Sequence, residues 1–229
     1  MRQDTLIILD NGHGGIKEGV YVTAPSKMHK FKDGLTIYEG VFNREIVKKL
    51  VYKLKTFGIP FLNLVPGPED TPLKDRVKKA NEAAKLWGGK AIYISIHGNA
   101  GKGTGFEVYT SRGETKSDVI AGFYMDSMEE QFPNKIARTD LTDGDKDKEA
   151  NFYVLKKTSC PAILTESFFM DRREDAELML SYEGTNKIVN AHFNTILKAL
   201  EEDVFTVVRA PKAVTPESKK RRAKKRKNG

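Results

Sequence analysis

The sequence predicts a single α/β domain, a mostly parallel twisted sheet flanked by helices. Short apolar runs with the look of buried strands alternate with longer stretches of helical period. Three of those runs also end in a residue type that binds metal or moves protons. Leu6 to Leu9 leads to His13, Ala91 to Ile96 leads to His97, and Ala162 to Thr165 leads to Glu166. In open α/β sheets, sites form outside the carboxyl ends of the strands.

Size and composition agree with that class. A chain of 229 residues fits one domain with a full core and room for one appendage. A hydrophobic share of 39% with 31% charged residues is that of a folded, water-exposed protein rather than a disordered or membrane-embedded one. No apolar run approaches the roughly 18 residues of a membrane span. The opening Met1-Arg2-Gln3-Asp4-Thr5 carries an acid and lacks the apolar core of a signal peptide, so no export signal is expected. The one cysteine, Cys160, forbids an internal disulfide and reads as an inert buried thiol.

The net charge of +8 belongs to the end of the chain. Eight of the 39 basic residues lie between Ser218 and Gly229 with no acid among them, and the remaining 31 balance 31 acidic residues. A neutral body argues against a fold organised around nucleic acid. The expected division is a domain over 1–203 and a basic, disordered tail over 204–229.

Leu6-Ile7-Ile8-Leu9 is continuous and apolar, as in a strand buried on both faces, and Gly12, Gly14 and Gly15 make a permissive loop after it. Residues Ile16 to Tyr38 are polar and irregular, and a loop of that length is usually functional. Glu39 opens a helix to about Thr56, with Val47, Leu50, Val51 and Leu54 on one face and Gly58 as its stop. Ile59 to Val65 reads as a strand and Pro66 to Pro72 as a loop. Leu73 to Leu86 is helical, with Val77, Ala80 and Ala84 aligned and Gly88-Gly89 behind. The central strand, Ala91 to Ile96, follows. Thr104 to Thr110 alternates as a strand, and Ser117 is placed to cap a helix carrying Ile120, Phe123, Tyr124, Ser127 and Met128. Asn134 to Glu149 is Asp-rich and reads as loop, Asn151 to Leu155 as a short strand, and Pro161 to Thr165 as another. Asp171 to Asp175 turns into a helix, and Val189, Phe193, Ile196 and Leu200 mark the last one.

Metal-assisted hydrolysis needs three protein ligands and an open position. His13, Glu39, His97 and Glu166 are the candidates. Glu39 sits in the first turn of a helix, where the dipole favours the ionised carboxylate. The two histidines leave apolar strands into Gly-flanked loops that can aim their rings. There is no His-Glu-x-x-His, no cysteine cluster, no Gly-x-Ser-x-Gly and no phosphate loop.

Several motifs occur in order: Asp10-Asn11-Gly12-His13-Gly14-Gly15, Glu39-x-x-x-Asn43, Asp75-Arg76 with Ala80-Asn81, Ser95-Ile96-His97-Gly98-Asn99-Ala100 with Gly105-Phe106, and Pro161 to Phe168. Over about residues 5 to 201 this resembles the zinc-dependent N-acetylmuramoyl-L-alanine amidases of the type-3 family, which cleave peptidoglycan. The resemblance implies a six-stranded, mostly parallel sheet between helices. It also implies zinc as cofactor with His13, Glu39 and His97 as ligands, and Glu166 as the catalytic glutamate. The sequence departs from the family pattern at Asn11, which stands in a proline's place, and after Glu166, where Ser167-Phe168-Phe169-Met170-Asp171 follows. The 16–38 stretch is longer than the family suggests, and no extra inhibitory helix is evident.

Two further positions carry substrate expectations: Arg76 to meet a peptide carboxylate, against a salt-bridged helix residue, and Asn99 to orient His97 or the substrate. His29 is expected in solvent and His192 at the core edge, neither on the metal. The basic tail suits attraction to an anionic envelope, nucleic acid, or plain solvation. A wall-cleaving protein without an export signal fits a phage-type endolysin made in the host cytoplasm, or a bacterial enzyme exported by another route. The competing readings are a zinc peptidase on another substrate and a wall-binding module without catalysis.

Overall fold

A computed structural model describes residues 4–23 and 27–206. Its central sheet has six strands in the order β6-β1-β7-β10-β8-β9. These are β1 (Leu6–Asn11), β6 (Phe61–Asn63), β7 (Ala91–Asn99), β8 (Phe106–Thr110), β9 (Lys148–Glu149) and β10 (Ala162–Phe169). Every neighbouring pair is parallel except β10 and β8. The helices are α1 (Glu39–Thr56), α2 (Leu73–Leu86), α3 (Lys116–Gln131), α4 (Tyr153–Lys157), α5 (Arg173–Leu180) and α6 (Tyr182–Glu201).

The pleat sorts the core into two layers. Ile7, Leu9, Ile92, Ile94, Ile96 and Ile163 face α1, α3, α5 and α6. Leu6, Ile8, Ala91, Tyr93, Ala162 and Leu164 face α2 and α4. Burial on both faces is why these strands read as unbroken apolar runs. Register then decides the site. Asp10 pairs with Ser95, and Glu166 pairs with His97. With a side-chain period of two, Asp10, Ser95, His97 and Glu166 all fall on the face that α2 and α4 cover.

Five expectations change. Asn151 to Leu155 is not a strand: α4 begins at Tyr153, and the Lys156 N–H donates to the Phe152 carbonyl at 2.9 Å. Periodicity cannot separate a buried strand from a buried helix in so short an apolar run. The cap of α3 is Thr115 rather than Ser117. Thr115 Oγ1 accepts from the Ser117 N–H, and Asp118 accepts from the Thr115 N–H at 2.8 Å. Ser117 Oγ instead accepts from the Ala162 N–H. Residues 16–38 hold two small hairpins, β2–β3 (Ile16–Lys17, Val20–Tyr21) and β4–β5 (Met28–Lys30, Thr36–Tyr38). His192 lies in the interior at 0% exposure rather than at its edge. His29 is half-buried against Phe31, ring centres 4.4 Å apart, rather than in solvent.

Cys160 is buried, and burial pushes its thiol up to about 12, consistent with an inert group. Among the described residues no helix is long and apolar enough to cross a membrane. Val204 is fully buried in the core, so the packed body runs past the expected boundary at 203, while the basic run of 218–229 lies outside the described residues.

Candidate active site

Three elements deliver the cluster. Past the end of β1, the Gly12 N–H donates to the Ile96 carbonyl at 3.0 Å, which brings the loop level with His97. His13 then adopts φ +63°, a left-handed conformation that costs a non-glycine residue about 1–2 kcal/mol. Its carbonyl is clamped by Arg44 Nη1 at 2.8 Å and Arg76 Nη2 at 3.3 Å. Asn43 Nδ2 holds the Gly12 carbonyl at 3.0 Å. Gly12 itself must be glycine, since a Cβ there would lie 2.3 Å from His97 Cε1.

Glu39 is the first residue of α1 and is buried. No side chain of the adjoining segment caps this helix; Tyr21, from β3, accepts from the Gly40 N–H at 3.1 Å. The long loop therefore seats the helix end that carries Glu39. Gly40 permits the close approach, because a Cβ would come within 1.7 Å of the Gly14 carbonyl oxygen.

Glu39 Oε1 lies 2.9 Å from His97 Nδ1 and 3.2 Å from His13 Nε2. The two imidazoles meet edge to face, centres 5.0 Å apart at 86°. One donor atom from each of the three residues lies within 4.8 Å of the others, a set that can hold a metal ion. Burial alone would raise the Glu39 carboxyl, but the hydrogen bonds and charges of both histidines outweigh it and hold it at about 2. Burial opposes charge on His97, yet the bond to Glu39 and its charge raise the ring's pKa on balance.

Glu166 stands across from His97 on β10. Burial pushes it up to about 7; the charges of Glu39 and Glu107 add to the rise, while His97 and Lys27 oppose it. Its Oε2 is buried without a hydrogen-bond partner. A buried carboxyl with an unpartnered oxygen and a pKa raised toward neutrality has the chemistry to transfer a proton. Glu107, directly opposite on β8, is neutralised by Arg138 at 2.8 Å and by Lys148, and also accepts from Asn99 and Tyr109. His13, Glu39, His97 and Glu166 border a cleft of about 590 Å³, with Thr71, Pro72, Phe152 and Tyr153 among its other walls.

Arg76 and Asn99 both line the cleft, and both also make internal hydrogen bonds. Arg76 is 2% exposed. It donates to Asp10 at 2.5 Å and to the carbonyls of Asn11 at 2.5 Å, Thr71 at 2.7 Å and His13 at 3.3 Å. Its donors are turned inward, onto the loop that carries His13. Asn99 donates to Glu107 at 2.7 Å and accepts from the Ala100 N–H, so it braces the end of β7. Sequence reasoning assigned no role to Asn43, Arg44, Ser95 or Glu107. Asn43 and Ser95 sat in recognisable motifs; for Arg44 and Glu107 no local pattern distinguishes them from ordinary helix or strand residues.

The N-acetylmuramoyl-L-alanine amidase family model (Amidase_3) matches residues 7–198. The N-acetylmuramoyl-L-alanine amidase CwlM of Bacillus licheniformis is 39% identical over 117 residues, 51% of this chain and 43% of that protein. The endolysin of Bacillus phage SPP1 is 29% identical over 201 residues, 85% of this chain and 66% of its own length. The chain thus spans less than two thirds of either relative. The crystal structure of an N-acetylmuramoyl-L-alanine amidase from Clostridium difficile 630 has the same fold, with a TM-score of 0.71 at 24% identity over 87% of this chain and 98% of that one.

Proposed function

Since the chain belongs to the Amidase_3 family of N-acetylmuramoyl-L-alanine amidases, we propose that it hydrolyses the amide between N-acetylmuramic acid and L-alanine in peptidoglycan. The observation that carries the mechanism is the unpartnered, buried Glu166 Oε2 beside a cluster of two histidines and a glutamate. His13, Glu39 and His97 would hold zinc, for which two imidazoles and one carboxylate are a common catalytic set. Bound there, zinc would supply an acidified water and polarise the scissile carbonyl. Glu166 takes a proton from the attacking water and returns it to the leaving alanine nitrogen. A carboxyl group near 7 serves both steps, because it is neither too weak a base nor too weak an acid at neutral pH. Arg76, Arg44 and Asn43 keep the strained His13 loop in place, and the half-exposed walls of the cleft bind the substrate on either side of the amide.

The catalytic domain in this reading is 1–203. The 204–229 tail draws the enzyme to the anionic envelope, and release follows the phage-endolysin pattern. Digestion of isolated peptidoglycan tests the activity. New alanine amino termini should appear without new reducing sugar ends. New amino termini on other residues would make the protein a peptidase, and binding without cleavage would make it a wall-binding module.

A further inference from the structure

We propose that Asp10 and Ser95 set the tautomer of His97, so that this histidine turns Nδ1 to the metal and keeps its proton on Nε2. The proposal rests on the reading of His13, Glu39 and His97 as zinc ligands, and it concerns residues for which that reading has no role. Its basis is a chain of hydrogen bonds with only one consistent direction.

The Asp10 carboxylate lies at the inner end of the chain. Arg76 Nη1 donates to its Oδ1 at 2.5 Å, and the Tyr93 hydroxyl donates to its Oδ2 at 2.6 Å. Ser95 Oγ lies 2.8 Å from the same Oδ2. A carboxylate paired with a guanidinium offers only acceptors, so Ser95 must donate, and a serine has a single proton to give. Ser95 Oγ is also 3.2 Å from His97 Nε2. With its proton committed, the hydroxyl can only accept there. The His97 Nε2 must therefore carry hydrogen, which leaves a lone pair on Nδ1 in the neutral ring. That lone pair points at Glu39 Oε1, 2.9 Å away. Two acceptors at that separation require a cation between them, either a proton or a metal ion.

Register produces this arrangement. Tyr93, Ser95 and His97 alternate onto one face of β7, and Asp10 on β1 pairs with Ser95. Helix α2 covers that face and sends in Arg76. Asp10, Arg76, Tyr93 and Ser95 are all 2% exposed or less. Four buried polar side chains are costly unless satisfied, and here the chain of bonds from Arg76 through Asp10 and Ser95 ends on one ring. Residues that hold the far nitrogen of a ligating histidine fix its tautomer and orientation. Ser95 is the positioning residue in contact with His97; Asp10 orients Ser95, and Arg76 with Tyr93 holds Asp10.

The test uses the full chain labelled with ¹⁵N-histidine and loaded with zinc. Long-range ¹H–¹⁵N spectra should show His97 protonated at Nε2 and metal-bound at Nδ1. Metal on Nε2 would overturn the proposal even if the wild type binds zinc and cleaves peptidoglycan. Chelator competition gives an independent readout. Ser95→Ala should weaken zinc binding by roughly ten- to hundredfold, and Ser95→Thr, which keeps the hydroxyl, should restore most of it. Unchanged affinity in Ser95→Ala would also overturn it. If Ser95→Ala does not fold, the wild-type spectrum still decides. A wild type that binds no zinc would remove the metal reading itself, and this proposal with it.

Discussion

Replacing His192 should remove a defined part of the protein's acid sensitivity. This histidine lies on α6, fully buried, with its ring 5.0 Å from that of Tyr124. Nδ1 donates to the Ile188 carbonyl at 2.8 Å, and Nε2 accepts from Thr165 Oγ1 at 3.0 Å. A neutral ring satisfies both bonds; a protonated one could still donate to the hydroxyl, whose own proton can turn to the Ser95 carbonyl, but it would place a charge in the core. Burial accordingly depresses its pKa from 6.5 to about 4, against a smaller opposing effect of the Ile188 hydrogen bond. Below 6.5 the unfolded chain takes up the proton first. The stabilisation is therefore complete above about pH 6.5 and is lost as pH falls toward 4. Over that interval the loss amounts to about 3 kcal/mol, with a slope approaching roughly 1.4 kcal/mol per pH unit. Urea unfolding of wild type and His192→Gln between pH 7.5 and 4.5 isolates the effect, because other titrating groups are common to both. The variant is expected to start less stable and to lose less on acidification. Parallel pH dependences, or a His192 ring that titrates near 6.5 in the native protein, would refute the reasoning.

Glu166→Gln should keep the fold and full zinc content while lowering turnover by roughly 10²–10⁴-fold, measured by release of soluble fragments from peptidoglycan. Loss of zinc in that variant would mark Glu166 as a ligand. Gly12→Ala pushes a methyl to within 2.3 Å of the His97 ring; the displaced ring should cost about a hundredfold in turnover, with weaker zinc binding in chelator competition. Zinc should raise the thermal midpoint, since a ligand at a hundred times its Kd stabilises by about 2.7 kcal/mol, and His97→Ala should abolish that rise in a calorimeter. Deleting 218–229 should weaken binding to isolated walls at low salt, and the difference should vanish near 1 M, where the Debye length is about 3 Å. A loss that persists in high salt would exclude electrostatic attraction.

The central sheet was legible because its strands are covered on both faces, which leaves runs such as Leu6 to Leu9 and Ala91 to Ile96 with no polar interruption. His13, His97 and Glu166 stood out because each follows such a run, and Glu39 because it opens a periodic helix. What the sequence hides is set by register and by partners distant along the chain. Nothing near Arg76 says that its guanidinium ends on Asp10, 66 residues away. That contact depends on how α2 lies across β1, and it makes Arg76 an internal brace at the wall of the cleft. Ser95 sits between two isoleucines, and its motif assigns it no role; only its pairing with Asp10 and its contact with His97 separate it from a packing residue. The α4 segment misled for a different reason. Val154 and Leu155 are adjacent and both buried, a pattern that a strand covered on both faces and a short helix share. The strands of the 16–38 hairpins are two or three residues long, too short for an alternating pattern to announce them, yet Tyr21 within that stretch supplies the contact that seats α1.

Crystals grown with zinc, with diffraction measured on either side of the zinc absorption edge, test the central claim most directly. The account predicts one strong anomalous peak bounded by His13 Nε2, a Glu39 carboxylate oxygen and His97 Nδ1, with Glu166 beside it and not ligating. A peak elsewhere, a peak ligated by Glu166, or no peak in a protein that still cleaves peptidoglycan would contradict it.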